Sequence, residues 1–125
     1  MLTYEKLLDY MNGIPGSTRE FPFGSAALVF KVMGKMFALM SWQSDPIELN
    51  LKCDPERALL LRQLYTSVTP GYHMNKTHWN TVVIDATIPD EVICEMIDDS
   101  YQLVVAGLTR KDRELLSGQI TETIK

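Results

Sequence analysis

The sequence predicts an α+β fold, in which helices pack on an antiparallel sheet of about five strands. Apolar segments separated by turn signals fill residues 27–53, as expected for strands linked by hairpins. Helix-start signals precede and follow this region, at Thr3, Asp54 and Pro89. Residues 47–53 alternate between apolar and polar side chains, which is typical of an antiparallel strand with one solvated face. The predicted order of elements is therefore α-β-β-β-β-α-β-α-α.

The first helix is marked by both its cap and its apolar face. Thr3 is the predicted N-cap, and Leu2 and Leu7 occupy the positions of a hydrophobic staple. An apolar stripe at helical spacing follows, made of Tyr4, Leu7, Leu8 and Met11.

Four strands are predicted next. Residues 17–21 form a short candidate strand, and residues 27–32 and 35–42 flank Met33-Gly34, a hairpin signal because glycine accepts positive φ. In residues 47–53 the odd positions are apolar, and we expect the even positions, Glu48, Asn50 and Lys52, to face solvent.

The second half of the chain is predicted to contain three helices and one strand. Asp54-Pro55 starts a helix that should run to about Tyr65 and bury Leu60, Leu61 and Leu64. A strand over residues 79–85 precedes the longest helix, whose predicted apolar face is Ile93, Met96, Ile97, Tyr101, Val104, Val105 and Leu108. Thr109 and Asp112 resemble a capping box for a short last helix. We expect one domain over residues 1–118 and a polar, frayed tail over residues 119–125.

Composition restricts the class of protein. The chain has 125 residues, of which 46% are hydrophobic, so one packed domain is expected. No apolar run approaches the roughly 20 residues of a membrane span, and no cationic leader is present, so we expect a cytoplasmic protein without membrane contact. Cys53 and Cys94 have no C-x-x-C spacing and are predicted to be reduced.

The charge of the chain is unevenly distributed. The formal net charge is −4, but residues 52–84 carry four bases against two acids, and residues 85–125 carry four bases against nine acids. Nucleic-acid binders usually present a basic surface, and only the middle third of this chain has an excess of bases.

Residues Thr69–Thr81, TPGYHMNKTHWNT, gather both histidines of the chain with a tryptophan, a tyrosine and a lysine. Three interpretations compete: a metal site, a surface that binds an anion or nucleic acid, and a polar structural turn. Zinc usually takes three or four protein ligands, and His73 and His78 supply two, so the sequence predicts no metal site.

The sequence also predicts no enzyme and no cofactor. Phosphate-binding and dinucleotide-binding glycine motifs are absent, as is the nucleophile elbow of hydrolases. Cys53 lies in the apolar phase of its strand, and Cys94 lies beside the apolar stripe of the long helix, so neither thiol has the surroundings of a nucleophile.

The binding interpretation rests on side chains that contact phosphates and stack on bases. The alternative is structural, with Trp79 packed in the core and the polar groups paired inside the fold. The candidates in this segment are Tyr72, His73, Asn75, Lys76, His78 and Trp79.

Several motifs in matching order resemble the MmcQ/YjbR family of small bacterial proteins. The most specific is VTPGYHMNKTHWNTV at residues 68–82, and the others are PFG at 22–24, FKVMGKMFAL at 30–39, LNLKCDPE at 49–56, IPDE at 88–91 and DDSYQLV at 98–104. The likeness covers about residues 3–117. It implies a compact α+β domain, described as a double-wing fold and likened to type III secretion chaperones, with a predicted DNA-binding role, no enzyme activity and no cofactor.

The resulting hypothesis is a non-enzymatic DNA-binding domain. The hairpin turn at residues 33–35, with Lys35, would form one wing, and the loop at residues 69–79 a second contact. Lys52, Arg62 and Lys76 would contact phosphates. The alternative is a module that binds a protein or a small anionic ligand, with the same loop as an anion or peptide pocket. Convergence of the basic side chains on one surface favours the first hypothesis.

Overall fold

The computed structural model describes residues 2–21, 27–71 and 75–124, with the backbone alone for residues 120–124. It confirms the α+β class and the order of the predicted elements, and it adds one strand. The helices are α1 (Tyr4–Asn12), α2 (Pro55–Leu64), α3 (Asp90–Ala106) and α4 (Arg110–Ile124). The strands are β1 (Ser17–Glu20), β2 (Leu28–Val32), β3 (Lys35–Ser41), β4 (Glu48–Lys52), β5 (Val68–Pro70) and β6 (Trp79–Val83).

The described strands form one antiparallel sheet in the order β1-β2-β3-β4-β6-β5. Strand β5 is the one that the sequence did not predict. It has three residues and ends in Pro70, so it is too short to show alternation. It pairs with β6 at the edge of the sheet, where a proline without an N–H group is tolerated.

Local signals identified the helix starts and the first hairpin correctly. The side chains of Thr3, Asp54 and Thr109 each accept a hydrogen bond from the backbone N–H three residues later, at 3.2, 3.4 and 3.1 Å. Met33 and Gly34 both have positive φ, at 50° and 78°, which is the geometry of a type I′ hairpin turn.

Helix α3 packs across the middle of the sheet and closes the core. Its predicted apolar face is confirmed, with Ile97 fully buried and Tyr101 7% exposed. The ring of Tyr101 contacts that of Phe37 edge-on, with centroids 5.5 Å apart. Phe30, Phe37 and Leu49 are fully buried in the same cluster.

Ser100 of α3 completes the hydrogen bonding between two strands. Its hydroxyl donates to the backbone oxygen of Phe37 at 2.5 Å and accepts from the backbone N–H of Lys52 at 2.8 Å. The hydroxyl therefore bridges a donor of β4 and an acceptor of β3. Ser100 is completely buried.

The predicted burial of α2 was wrong. Only Leu61 of the three predicted leucines is buried, whereas Leu60 is 49% and Leu64 62% exposed. Helix α2 packs against the edge strand β5, so only the narrow side that carries Ala58 and Leu61 meets the core. Adjacent residues of a helix point about 100° apart, so a run of leucines cannot all face a narrow contact.

Two further expectations also need correction. Asn50 was predicted to face solvent but is 3% exposed. Helix α4 was predicted to be short and to end by Gly118, but it has 15 residues and continues to Ile124. The division between a domain over residues 1–118 and a tail over residues 119–125 stays a prediction.

The remaining expectations concern cysteines and membrane spans. Cys53 and Cys94 are free thiols, as predicted. Within the described ranges, no helix has both the length and the apolar character that crossing a bilayer requires.

Candidate functional site

Strand register brings three candidate positions to one end of the sheet, which we call the lysine end. Strand β3 begins at Lys35, β4 ends at Lys52 and β6 begins at Trp79. Lys52 and Trp79 are direct cross-strand partners. Neighbouring strands lie about 4.8 Å apart, so β3 and β6, on either side of β4, are separated by roughly 10 Å. The turn before Lys35 and the loop before Trp79 therefore emerge at the same end.

The lysines of this end carry charge that is not neutralised locally. Lys35 and Lys76 are exposed and Lys52 is half-buried. No carboxylate of the described residues lies within salt-bridge distance of these three ammonium groups, whereas Lys31 pairs with Glu20. The lysine end thus presents three cationic side chains in a chain whose net charge is −4.

Lys52 lies on the sheet face turned away from α3. Its neighbour Leu51 points to the core beside Ala38, so alternation places Lys52 on the other face. Asn50 shares that outer face, and its Oδ1 accepts a hydrogen bond from Thr81 Oγ1 at 2.7 Å. Asn50 and Thr81 are both buried, and this cross-strand bond compensates the cost of burying two polar side chains.

Arg62 has a different position from the one expected of a phosphate contact. Its Nε donates to Asn80 Oδ1 at 2.7 Å, and one terminal nitrogen donates to the backbone oxygens of Trp79, at 3.3 Å, and of Lys76. The guanidinium group therefore ties the last turn of α2 to the loop before β6. Its observed contacts position Lys76 and Trp79 at the lysine end.

Asn75 shapes the same loop through an Asx turn. Its Oδ1 accepts from the N–H of Thr77 at 2.9 Å, and its backbone oxygen accepts from the N–H of His78 at 3.2 Å. His78 is exposed and Trp79 is half-buried. Tyr72 and His73, the other two candidates, lie outside the described residues.

Gly71 is needed where β5 passes into this loop, because the backbones approach closely. Its N–H donates to the backbone oxygen of Trp79 at 2.8 Å. A Cβ atom at residue 71 would lie 2.8 Å from Trp79 Cβ, closer than real Cβ contacts allow. Gly71 is thus part of a close contact between the two neighbouring backbones.

A polar cluster that the sequence did not reveal lies at the opposite end of the sheet. Ser67 Oγ donates to Asp85 Oδ2 at 2.8 Å, and Thr87 Oγ1 donates to Asp85 Oδ1 at 2.6 Å. The hydrogen bond from the Thr87 hydroxyl, followed by that from Ser67, lowers the pKa of Asp85 below its usual value. The three residues link the segment before β5 to the segment after β6, a structural role that no local motif indicates.

The two thiols are poorly suited to nucleophilic chemistry. Burial raises the pKa of Cys53 above its usual value, and the nearby Arg57 guanidinium only partly opposes this. Burial also raises the pKa of Cys94, as do the carboxylates of Asp98 and Asp90. A thiol with a raised pKa carries little thiolate at neutral pH. In the described part of the chain, no three His, Cys, Asp or Glu side chains converge as metal ligands would.

Comparison with known proteins decides the family. The family model described as YjbR matches residues 12–103. The chain belongs to the YjbR family. It is 36% identical to the uncharacterised protein YjbR of Escherichia coli K12 over 115 residues, covering 92% of this chain and 98% of that one. It is 44% identical to the uncharacterised protein YbdF of Escherichia coli O157:H7 over 94 residues, covering 75% of this chain and 77% of YbdF.

Solved structures of similar proteins share the fold of this YjbR-family chain. Protein DR2400 of Deinococcus radiodurans superposes with a TM-score of 0.87 at 43% identity, covering 94% of this chain and 89% of DR2400. A protein from Pseudomonas syringae superposes with a TM-score of 0.71 at 27% identity, covering 82% and 98% of the two chains. The family resemblance drawn from the motifs is therefore confirmed, together with the α+β fold.

Proposed function

We propose that this YjbR-family chain is a non-enzymatic domain that binds DNA through backbone phosphates at the lysine end of the sheet. The observation that carries the proposal is that Lys35, Lys52 and the loop with Lys76 lie at the same end of the sheet. Three ammonium groups that form no ion pair with the described residues attract a polyanion, and the half-buried Trp79 supplies an aromatic surface at the same end.

The surrounding charges favour the outer face of the sheet as the contact surface. Lys52 points to the outer face, whereas Asp54 and Asp99 belong to the helical side of the same end. A phosphate backbone that approached from the helical side would meet these carboxylates. Contact through the outer face and the β2–β3 turn avoids this repulsion.

The non-enzymatic part of the proposal is supported by the raised pKa values of Cys53 and Cys94. A nucleophilic cysteine needs the opposite shift. The relatives are bacterial proteins, and bacterial DNA lies in the cytoplasm, so a cytoplasmic location is part of the proposal.

The test is titration of a fluorescently labelled DNA duplex with the protein at two salt concentrations, with binding measured by fluorescence anisotropy. Three phosphate contacts predict a slope of log K against log salt near −2.7, hence roughly a forty-fold loss of affinity for a fourfold rise in salt. Lys76→Ala should weaken binding for all sequences alike and reduce the slope by about 0.9.

The matched control is Lys6→Ala. Lys6 is exposed on α1, and the start of this helix lies near the end of the sheet opposite to the lysine end. Tyr4, two residues before Lys6, contacts Trp42, which follows the last residue of β3. Its removal changes the net charge equally and should leave the slope unchanged. Absence of duplex binding at low salt contradicts the proposal. Salt-insensitive binding of a peptide to the loop would instead favour the alternative of a protein- or ligand-binding module.

A further inference from the structure

Asn80 contains a buried hydrogen-bond donor that is unpaired within the described part of the chain. The residue lies in β6 on the core face and is 2% exposed. Its Oδ1 accepts from Arg62 Nε at 2.7 Å, which sets the orientation of the amide, and its Nδ2 has no partner among the described residues. An unpaired buried donor is destabilising, so its retention calls for an explanation.

A small cavity lies beside this amide. Its volume is about 10 Å³, close to the space needed by one water molecule or one oxygen atom of a larger molecule. Apart from Asn80, its inner wall is mainly apolar, formed by Leu51, Leu61, Val82 and Met96. One acceptor atom in this cavity would satisfy the unpaired donor.

The cavity adjoins an acidic groove between the start of α2 and the side of α3. Groove and cavity share Cys53, Arg57 and Asp99, so the cavity lies at the inner end of the groove. The groove volume is about 660 Å³, within the usual range for small-ligand sites. Its charged lining residues are one arginine and four acids: Arg57, Asp54, Glu95, Asp98 and Asp99.

The boundary between groove and cavity is a weak ion pair. Arg57 Nε lies 3.4 Å from Asp99 Oδ2, and the two side chains are 44% and 49% exposed. Ion pairs this exposed contribute little to stability, so a ligand can displace one at small cost. Separation of Arg57 from Asp99 would connect the groove with the cavity.

We propose that the groove and cavity together bind an organic cation that carries an oxygen acceptor. The oxygen enters the cavity and accepts a hydrogen bond from Asn80 Nδ2, while the cationic group lies among the groove carboxylates. A free amine with a carbonyl group and a lysine side chain of a peptide share this chemistry. The site lies on the helical side of the sheet, so it does not depend on DNA binding at the lysine end.

The test uses N-acetyl-L-lysinamide, which has both an ammonium and carbonyl oxygens, and observes the side-chain amide signals of Asn80 by ¹H–¹⁵N NMR. These signals should shift saturably. N-acetyl-L-norleucinamide, which lacks the charge, should bind more weakly, and 1,5-diaminopentane, which lacks the oxygen, should leave the Asn80 signals unmoved. Tighter binding of acetyl-trilysine amide than of the single lysinamide would identify a peptide as the source of the cation.

Matched variants separate the groove from general charge effects. Glu95→Gln should weaken lysinamide binding about two- to fivefold, the range of exposed charge pairs, whereas Glu91→Gln on the same helix, outside the groove, should not. Asn80→Asp keeps an acceptor for Arg62 but removes the donor, and binding should fall about tenfold or more. Unmoved Asn80 signals in the wild-type protein would show that no ligand atom enters the cavity, and equal effects of Glu95→Gln and Glu91→Gln would show that the groove acts only through general charge. Either result would overturn the proposal.

Discussion

Removal of the Ser100 hydroxyl should be among the most damaging small changes in this fold. Ser100→Ala deletes one oxygen atom, and with it the partner of the Lys52 N–H at 2.8 Å and of the Phe37 carbonyl at 2.5 Å. The serine is completely buried, so water cannot easily replace the hydroxyl. Each buried backbone group left unpaired costs about 1–3 kcal/mol. The free energy of unfolding should therefore fall by about 2–6 kcal/mol, a large share of the roughly 5–15 kcal/mol typical of a domain.

Urea denaturation followed by circular dichroism measures this loss, with Gln102→Ala as the control. Gln102 is exposed on the same helix, so its replacement should change stability by less than about 0.5 kcal/mol. Hydrogen exchange gives an independent readout, because the Lys52 amide should lose protection while amides of β6 keep theirs. A Ser100→Ala protein with wild-type stability and a protected Lys52 amide would refute the reasoning.

Two further predictions follow from the strand contacts and the polar cluster. Gly71→Ala should destabilise the protein by about 1–3 kcal/mol, because the new Cβ would lie 2.8 Å from Trp79 Cβ. Gly118→Ala places its new atom in open space within a helix and should stabilise the protein by about 0.5–1 kcal/mol. Thermal unfolding of both variants checks this contrast, and equal effects would contradict it. The pKa of Asp85 is lowered in the folded state, so its stabilising contribution is present above the unfolded pKa of about 3.9 and is lost as pH falls through the lower folded pKa. Stability measured from pH 7 down to pH 3 should therefore decline less steeply in Asp85→Asn than in the wild type, and identical pH profiles would show that Asp85 is not coupled to folding.

The candidate site was predictable in part. Lys35 was a candidate as part of the hairpin turn at residues 33–35, and Lys52 as a basic residue on the polar face of an alternating strand. Their meeting at one sheet end depends on the pairing of β4 with β3 and β6. The structural role of Arg62 could not be predicted from the sequence, because its contacts with Asn80 and the loop backbone join residues 14 to 18 positions apart in the chain.

By itself the sequence determined the elements whose signals are local: the capped helix starts, the Met33-Gly34 turn, the apolar face of α3 and the family motifs. These features depend on neighbouring residues, because caps, turns and periodicity act within a few positions of the chain. Only the tertiary structure decided which leucines of α2 are buried, that Asn50 is paired inside the outer face and that Ser100 bridges β3 and β4. It also decided that Asn80, beside a cavity, has a donor without a partner among the described residues. Each of these outcomes depends on side chains or backbones brought together from distant parts of the chain, and contacts of that kind leave no periodic trace in the residues that make them.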